Sequence, residues 1–219
     1  MKGTVLYEVR DGVALLTVDN PPVNPLSDGV RAGLYEGLAK AEGDSSVVGV
    51  VLTGNGRAFI AGADISEFGG SGEGHGLAEV FKKLEYCSKP VVAAINGLAL
   101  GGGLETALCC NYRIASNQAF VGLPEVNLGL LPGAGGTQRL PRLVGPAEAL
   151  KIMLSGAHVP AKKALSLGIV DSLSDNVVED SITFIKEKAA NSESHPLVRD
   201  LNDKVIEARG NENILVEAQ

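Results

Sequence analysis

This sequence predicts an α/β fold assembled from β–β–α units, on three observations. Two strand-like runs open the chain around an Asp-Gly pair, the runs Val47–Leu52 and Pro90–Ile95 are almost wholly apolar, and stretches with helical spacing separate them. Apolar runs of that kind are expected where helices cover both faces of a sheet. The chain has 219 residues, 45% hydrophobic and 21% charged, enough for one sizeable core and too few for two comfortable domains.

The elements follow in order. Thr4–Val9 and Val13–Val18 flank Arg10-Asp11-Gly12, a strong hairpin signal. Asn20-Pro21-Pro22 ends the second run, because proline cannot donate to a ladder. Ser27 suits a helix N-cap, with Val30, Leu34 and Leu38 as an apolar stripe behind it. After Val47–Leu52 comes a loop, then the glycine-rich Gly69–Gly76, which reads either as a lid or as a linker. Leu77–Tyr86 predicts a helix, Pro90–Ile95 a strand and Gly102–Cys110 a short buried helix. Tyr112–Ala115 and Ala119–Val121 read as strands, followed by helices over Gly135–Leu143, Ala147–Leu154 and Ala161–Leu167. Val177–Ala190 is a long helix with Val178, Ile182, Ile185 and Ala189 on one face. Residues 1–194 are thus assigned to one domain. The more polar 195–219 reads as a docking helix or as the start of a linker in a longer protein.

Composition excludes several classes. The net charge is −7 and no Lys/Arg cluster marks a basic face, which argues against nucleic acid while leaving a nucleotide-bearing small molecule open. Cys87, Cys109 and Cys110 are odd in number, and two are adjacent inside an apolar run, as expected of buried thiols in a reducing compartment. No CxxC or HxxxH spacing accompanies them, so no metal site is expected. The opening residues lack the apolar core of a signal peptide, and no apolar stretch approaches the ~18 residues of a membrane helix. The expectation is a soluble, cytoplasmic protein without a membrane partner. His75, His158 and His195 are isolated and read as surface histidines.

Two glycine-containing segments carry the chemical signal. Ala58-Phe59-Ile60-Ala61-Gly62-Ala63-Asp64-Ile65 follows a buried strand and leaves backbone N–H groups without bulky side chains around them. Asn96-Gly97-Leu98-Ala99-Leu100-Gly101-Gly102-Gly103-Leu104-Glu105 opens a helix with three glycines, so unpaired N–H groups and the positive dipole end meet whatever lies there. Two such N–H groups from different loops can bind one oxygen that gains negative charge, an oxyanion hole. Tight turns and close packing would use the same glycines. No GxGxxG, GxxxxGK[ST] or GxSxG pattern is present. Glu105 lies one turn into an apolar helix, an expensive place for a carboxylate, although it also suits the helix dipole. Glu125, between Leu123-Pro124 and Val126, is either functional or an ordinary first-turn glutamate.

The segments AGADI (61–65), GLALGGGLE (97–105), VGLPEVNLGLLPGAGGTQRLPR (121–142) and A-x-x-L-G-I-V (164–170) resemble, in order and spacing, those of the enoyl-CoA hydratase/isomerase, or crotonase, superfamily. The resemblance covers roughly residues 4 to 190. Within it, Asn20–Ser27, VGLPEV and the SG-x-x-V-x-A-x-x-AL series resemble the N-terminal hydratase part of multifunctional β-oxidation enzymes, where a 3-hydroxyacyl-CoA dehydrogenase follows on the same chain. The resemblance implies a spiral of ββα units with a helical C-terminal segment, and a homotrimer or hexamer. It implies addition of water to a trans-2-enoyl-CoA in fatty-acid β-oxidation, with coenzyme A part of the substrate and no separate cofactor. Ala61 and Gly102 would be the oxyanion N–H donors, Glu105 the base and Glu125 the acid. Gly133 would help place water or the acyl group, and Ala63, Asp64 and Ile65 would lie near the adenine end of CoA. Lys82, Lys83 and Lys89 would either approach the CoA phosphates or form a solvated helix face. The alternatives are a Δ3,Δ2-enoyl-CoA isomerase using Glu125, and a non-catalytic acyl-CoA-binding fragment.

Overall fold

The computed structural model describes residues 3–64, 75–191, 194–210 and 213. Strands β1 (Thr4–Arg10) and β2 (Val13–Asp19) pair antiparallel across Asp11 and Gly12, whose φ values of 50° and 78° are those of the tight turn that Asp-Gly favours. Three parallel strands extend this sheet beyond β2: β3 (Gly49–Gly54), β5 (Val91–Ile95) and β7 (Tyr112–Ser116). The short β10 (Ser172–Ser174) completes it beside β7.

A second sheet holds β4 (Ala58–Ala61), β6 (Leu98–Leu100), β8 (Phe120–Gly122) and β9 (Val159–Pro160), in that order. The pairs β3–β4, β5–β6 and β7–β8 each place their first strand in the large sheet and their second in the small one. Helices α2 (Leu77–Glu85) and α3 (Gly102–Cys109) follow the first two pairs. Each turn of this spiral therefore brings a strand end and a helix start to the same place. Helix α1 (Asp28–Gly43) precedes these units. After β8 come a 3-10 turn (Pro124–Leu128) and helices α4 (Gly136–Val144), α5 (Pro146–Ser155), α6 (Ala161–Leu167) and α7 (Val177–Ala190).

Burial explains why the central strands show no polar alternation. Ala14, Leu16 and Val18 of β2 enter a large core with Leu34 and Leu38 of α1, Phe59 and Ile60 of β4, and Leu104 and Leu108 of α3. Val13 and Leu15, from the opposite face, pack with Val51, Val92, Ile182 and Ile185, the last two from α7. Cys109 and Cys110 lie in the first core as free thiols, and burial pushes the Cys110 thiol up to about 12.

Several expectations are refined. Strands β4, β6, β9 and β10 fall where loops or no element were read, because two to four residues are too few to show a period and their partners are distant in sequence. Ser27 occupies the N-cap of α1 without a capping hydrogen bond, and its hydroxyl accepts the Asn20 amide at 3.0 Å. His75 and His195 are not simply solvated: one stacks on Tyr35 and faces Glu79, the other meets the Tyr112 hydroxyl at 3.1 Å. Lys83 pairs with Glu42, and Lys89 donates to the Ala41 carbonyl at 2.6 Å, so both serve the fold. Ile65 and most of the Gly69–Gly76 stretch lie outside the described residues. A 3-10 turn (Val198–Asp200) and α8 (Asp203–Ala208) lie against α4, where the Arg199 carbonyl accepts from Arg142 Nε at 3.0 Å and Lys204 reaches the Leu143 carbonyl. No helix among the described residues is long and apolar enough to cross a membrane.

Candidate active site

Strands β4 and β6 run parallel with Ala61 beside Leu100. The residues that follow them, Gly62-Ala63 and Gly101-Gly102, therefore come together at one end of the second sheet. Gly101 holds φ at 53°, which lets β6 turn straight into α3. Gly103 lets α3 lie directly on β4, since a Cβ there would stand 1.8 Å from the Ile60 carbonyl oxygen.

This end of the sheet corrects one assignment. The Ala61 N–H donates to the Val23 carbonyl at 3.0 Å, and the Gly62 carbonyl accepts from Leu26 at 3.0 Å, so this stretch is still bonded to the preceding loop. Ala61 is therefore not an available donor. Gly62, at φ 97°, turns the chain, and the next N–H, that of Ala63, donates to nothing among the described residues. The Gly102 N–H, at the first position of α3, is equally uncommitted. A Cβ built on Gly102 would stand 3.5 Å from the Ala63 nitrogen, so the two donors are neighbours. Sequence reasoning had placed Ala63 nearer the adenine of CoA; its position beside Gly102 is not legible without the turn at Gly62.

Glu105 sits one turn into α3 and is only 3% exposed. Its Oε1 accepts the Ala134 N–H at 2.9 Å and the Gly136 N–H at 2.8 Å. Burial pushes this carboxyl above its ordinary value, while those N–H groups and the Arg139 charge oppose the rise. Glu125, in the 3-10 turn, lies over Gly101: a Cβ there would be 3.1 Å from Glu125 Oε1. Glu125 Oε2 is buried with no hydrogen-bond partner. Burial raises the Glu125 carboxyl too, its own backbone N–H opposes, and the Glu105 charge adds to the rise. The two acids thus differ in kind: two backbone donors stabilise the ionised form of one, while the other carries an unsatisfied oxygen.

Both carboxyls, the two free N–H groups and Gly133 line one cavity of about 470 Å³ whose remaining wall is largely Leu77, Leu100, Leu128, Leu130 and Leu131. Apolar walls with a few converging polar groups suit an acyl chain attached to a reactive carbonyl. Asp64 follows the donor Ala63 without lining this cavity. Three contributors escaped sequence reading: the donors Ala134 and Gly136, and Arg139, whose guanidinium joins Glu85 to the Ala134 carbonyl. The Gly-Ala-Gly-Gly run had marked the loop, without showing which of its N–H groups point inward. No cluster of three or more His, Cys, Asp or Glu side chains suited to a metal occurs among the described residues.

The enoyl-CoA hydratase/isomerase family pattern matches residues 8–215. This chain belongs to that family. Among curated relatives, the peroxisomal bifunctional enzyme of Danio rerio is 50% identical over 180 residues, covering 81% of this chain and 25% of that protein. A probable enoyl-CoA hydratase of Bacillus subtilis (strain 168) is 48% identical over 165 residues, 72% of this chain and 64% of the relative. The chain thus spans a quarter of the first relative's length and under two thirds of the second's. Of solved structures, an enoyl-CoA hydratase subunit from Geobacillus kaustophilus HTA426 aligns with a TM-score of 0.77 at 38% identity, covering 85% of this chain and 75% of that one. The expected membership in the enoyl-CoA hydratase/isomerase family and the α/β spiral both hold.

Proposed function

We propose that this chain is an enoyl-CoA hydratase, adding water syn to a trans-2-enoyl-CoA to give a 3-hydroxyacyl-CoA in fatty-acid β-oxidation. The observation that carries the reading is the facing of two unlike carboxyls and two uncommitted backbone N–H groups across one apolar cavity. The thioester oxygen binds the N–H groups of Ala63 and Gly102, which meet the negative charge that develops there as C3 is attacked. Glu105, ionised and held by Ala134 and Gly136, takes a proton from the attacking water. Glu125, protonated, delivers its proton to C2. After one turnover the proton has moved from Glu125 to Glu105, and exchange with water restores the pair. Coenzyme A travels as part of the substrate, and no other cofactor is required. Gly133, at the same wall, places the acyl group, and Asp64, next to the donor Ala63, lies on the path of the CoA moiety.

The decisive assay follows loss of the conjugated thioester absorbance of crotonyl-CoA on adding purified protein. Formation of 3-hydroxybutyryl-CoA supports the reading. No conversion of crotonyl-CoA, with conversion of a 3-enoyl-CoA instead, replaces it with the isomerase.

The pH profile is a sharper test. Activity needs Glu105 ionised and Glu125 protonated, so kcat/KM should fall at low pH as Glu105 gains its proton and at high pH as Glu125 loses its own. Both carboxyls are raised by burial, so both limbs should lie above the ordinary carboxylate range. The two limbs belong to the coupled pair. A profile flat from the ordinary glutamate range upward would sink this division of roles.

Assembly as a homotrimer or a dimer of trimers is part of the same proposal. Leu128, Leu130 and Leu131 leave apolar surface exposed beside the cavity, Leu131 at 75%. Light scattering on the purified chain should give three or six times the monomer mass of 22.6 kDa; a monomer would refute it.

A further inference from the structure

Three successive peptide groups form the wall behind Glu105. The N–H of the 133–134 peptide and the N–H of the 135–136 peptide both point inward to Glu105 Oε1, at 2.9 and 2.8 Å. The carbonyl between them, that of Ala134, points the other way and accepts Arg139 Nη1 at 3.0 Å. Gly135, at φ 104°, provides the reversal. It also leaves the space Arg139 occupies, because a Cβ there would stand 2.0 Å from Arg139 Nη1. The guanidinium is fixed in turn by Glu85, whose Oε1 accepts Arg139 Nε at 2.8 Å, with only 13% and 7% of the two side chains exposed. Arg199 approaches the far oxygen of Glu85 at 3.6 Å.

We propose that the buried Arg139–Glu85 pair is a positioning device for Glu105, holding the 133–136 loop so that its two inward N–H groups meet the carboxylate. The inference rests on the hydratase reading for its effect on turnover, and on geometry alone for its effect on Glu105. An ion pair that only tied α2 to α4 would have no need to reach the one carbonyl whose flanking N–H groups bind the base. Two charges buried together also make a costly link unless they are fully hydrogen-bonded.

The charged and titratable groups around this device are Glu105 and Cys109 on α3, Glu125 on the 3-10 turn after β8, Arg139 on α4, Glu85 on α2 and Arg199 on the turn Val198–Asp200. Loss of either partner frees the loop, and the two variants differ only in the charge they leave behind. Arg139→Met removes a cation as well as the tether, so Glu105 should ionise at higher pH and the acid limb should move up. Glu85→Gln keeps the guanidinium charge but removes its anchor, so loss of the two N–H donors should still move the acid limb up, against the direction that removal of a nearby anion alone would give. In both variants kcat should fall while KM changes little, by about a hundredfold where the carboxylate is displaced on the order of 1 Å.

The test has two readouts on the full chain. One is the pH profile of crotonyl-CoA hydration by the parent, Arg139→Met and Glu85→Gln. The other is a carbon-13 NMR titration of the Glu105 carboxyl, assigned by its loss in Glu105→Gln, which needs no turnover. Upward shifts of the Glu105 titration in both variants support the proposal. Unmoved titrations in folded variants overturn it, as does a downward shift in Glu85→Gln, which charge alone would produce. Should Arg139→Met fail to fold, the isosteric Glu85→Gln decides: an unmoved or downward titration overturns the proposal. If the parent hydrates nothing while the titrations shift as described, the hydratase reading falls and the positioning role stands.

Discussion

Glutamine in place of Glu105 should lower kcat by about 10²–10⁴-fold, and Glu125→Gln by a comparable factor, the range general acid–base groups supply. The substitutions are clean because of how each carboxyl is held. Glu105 uses one oxygen, Oε1, to accept both the Ala134 and the Gly136 N–H. A glutamine carbonyl can accept the same pair, so the loop stays and only basicity is lost. Glutamine at 125 keeps the shape of the neutral acid but has no proton to give to C2. Binding of acyl-CoA should therefore change little in either variant, while the double variant should be about as slow as the worse single one, because groups that act as a unit are not additive.

Stability should move the opposite way. Both carboxyls are raised by burial, so their ionisation costs folding energy as pH rises through those values, and a neutral glutamine removes that cost at neutral pH. Thermal melts of both variants should lie at or above the parent, an exchange of stability for activity found where sites are built from strained or desolvated groups. Near-parental hydration by Glu105→Gln with loss in Glu125→Gln would reduce the machinery of hydration to one carboxylate.

Much of this architecture is written locally. The Asp11-Gly12 turn, the apolar β3 and β5, the stripe Val30-Leu34-Leu38 and the glycines before Glu105 each carry their structure in their own neighbours, and all reappear. What escaped is non-local. Strand β4 exists because Ala58–Ala61 finds β6 some forty residues on, and nothing within four residues reports that. The donor pair shows the same limit. A motif names Ala61-Gly62-Ala63, but which N–H is free depends on Val23, thirty-eight positions earlier, claiming Ala61. Arg139 was invisible for a similar reason: an arginine in an amphipathic helix reads as surface until Glu85 and the Ala134 carbonyl are seen to enclose it.

The oxyanion donor at Gly102 is open to a direct experiment, because its place in the helix tolerates the residue that deletes it. Gly102 is the first residue of α3, the position where proline fits best, since that N–H has no intrahelical acceptor. Gly101 before it, at φ 53° and ψ −125°, is already outside the helical region that proline denies its predecessor. Gly102→Pro should thus fold and still lose about 10²–10³ in kcat, the range for removal of one oxyanion donor. The proper control is Gly102→Ala. It adds the same Cβ, which must displace the Leu26 Cδ1 methyl from 3.1 Å, yet it keeps the N–H. Whatever loss Gly102→Ala shows belongs to crowding, and the further loss in Gly102→Pro belongs to the missing donor. Equal activity of the two would mean that the thioester oxygen takes no hydrogen bond from Gly102, and the transition-state charge would then need another home than the Ala63–Gly102 pair. A large gap between them, with product binding retained, would fix the carbonyl oxygen at the start of α3 and with it the direction in which the acyl chain enters the cavity.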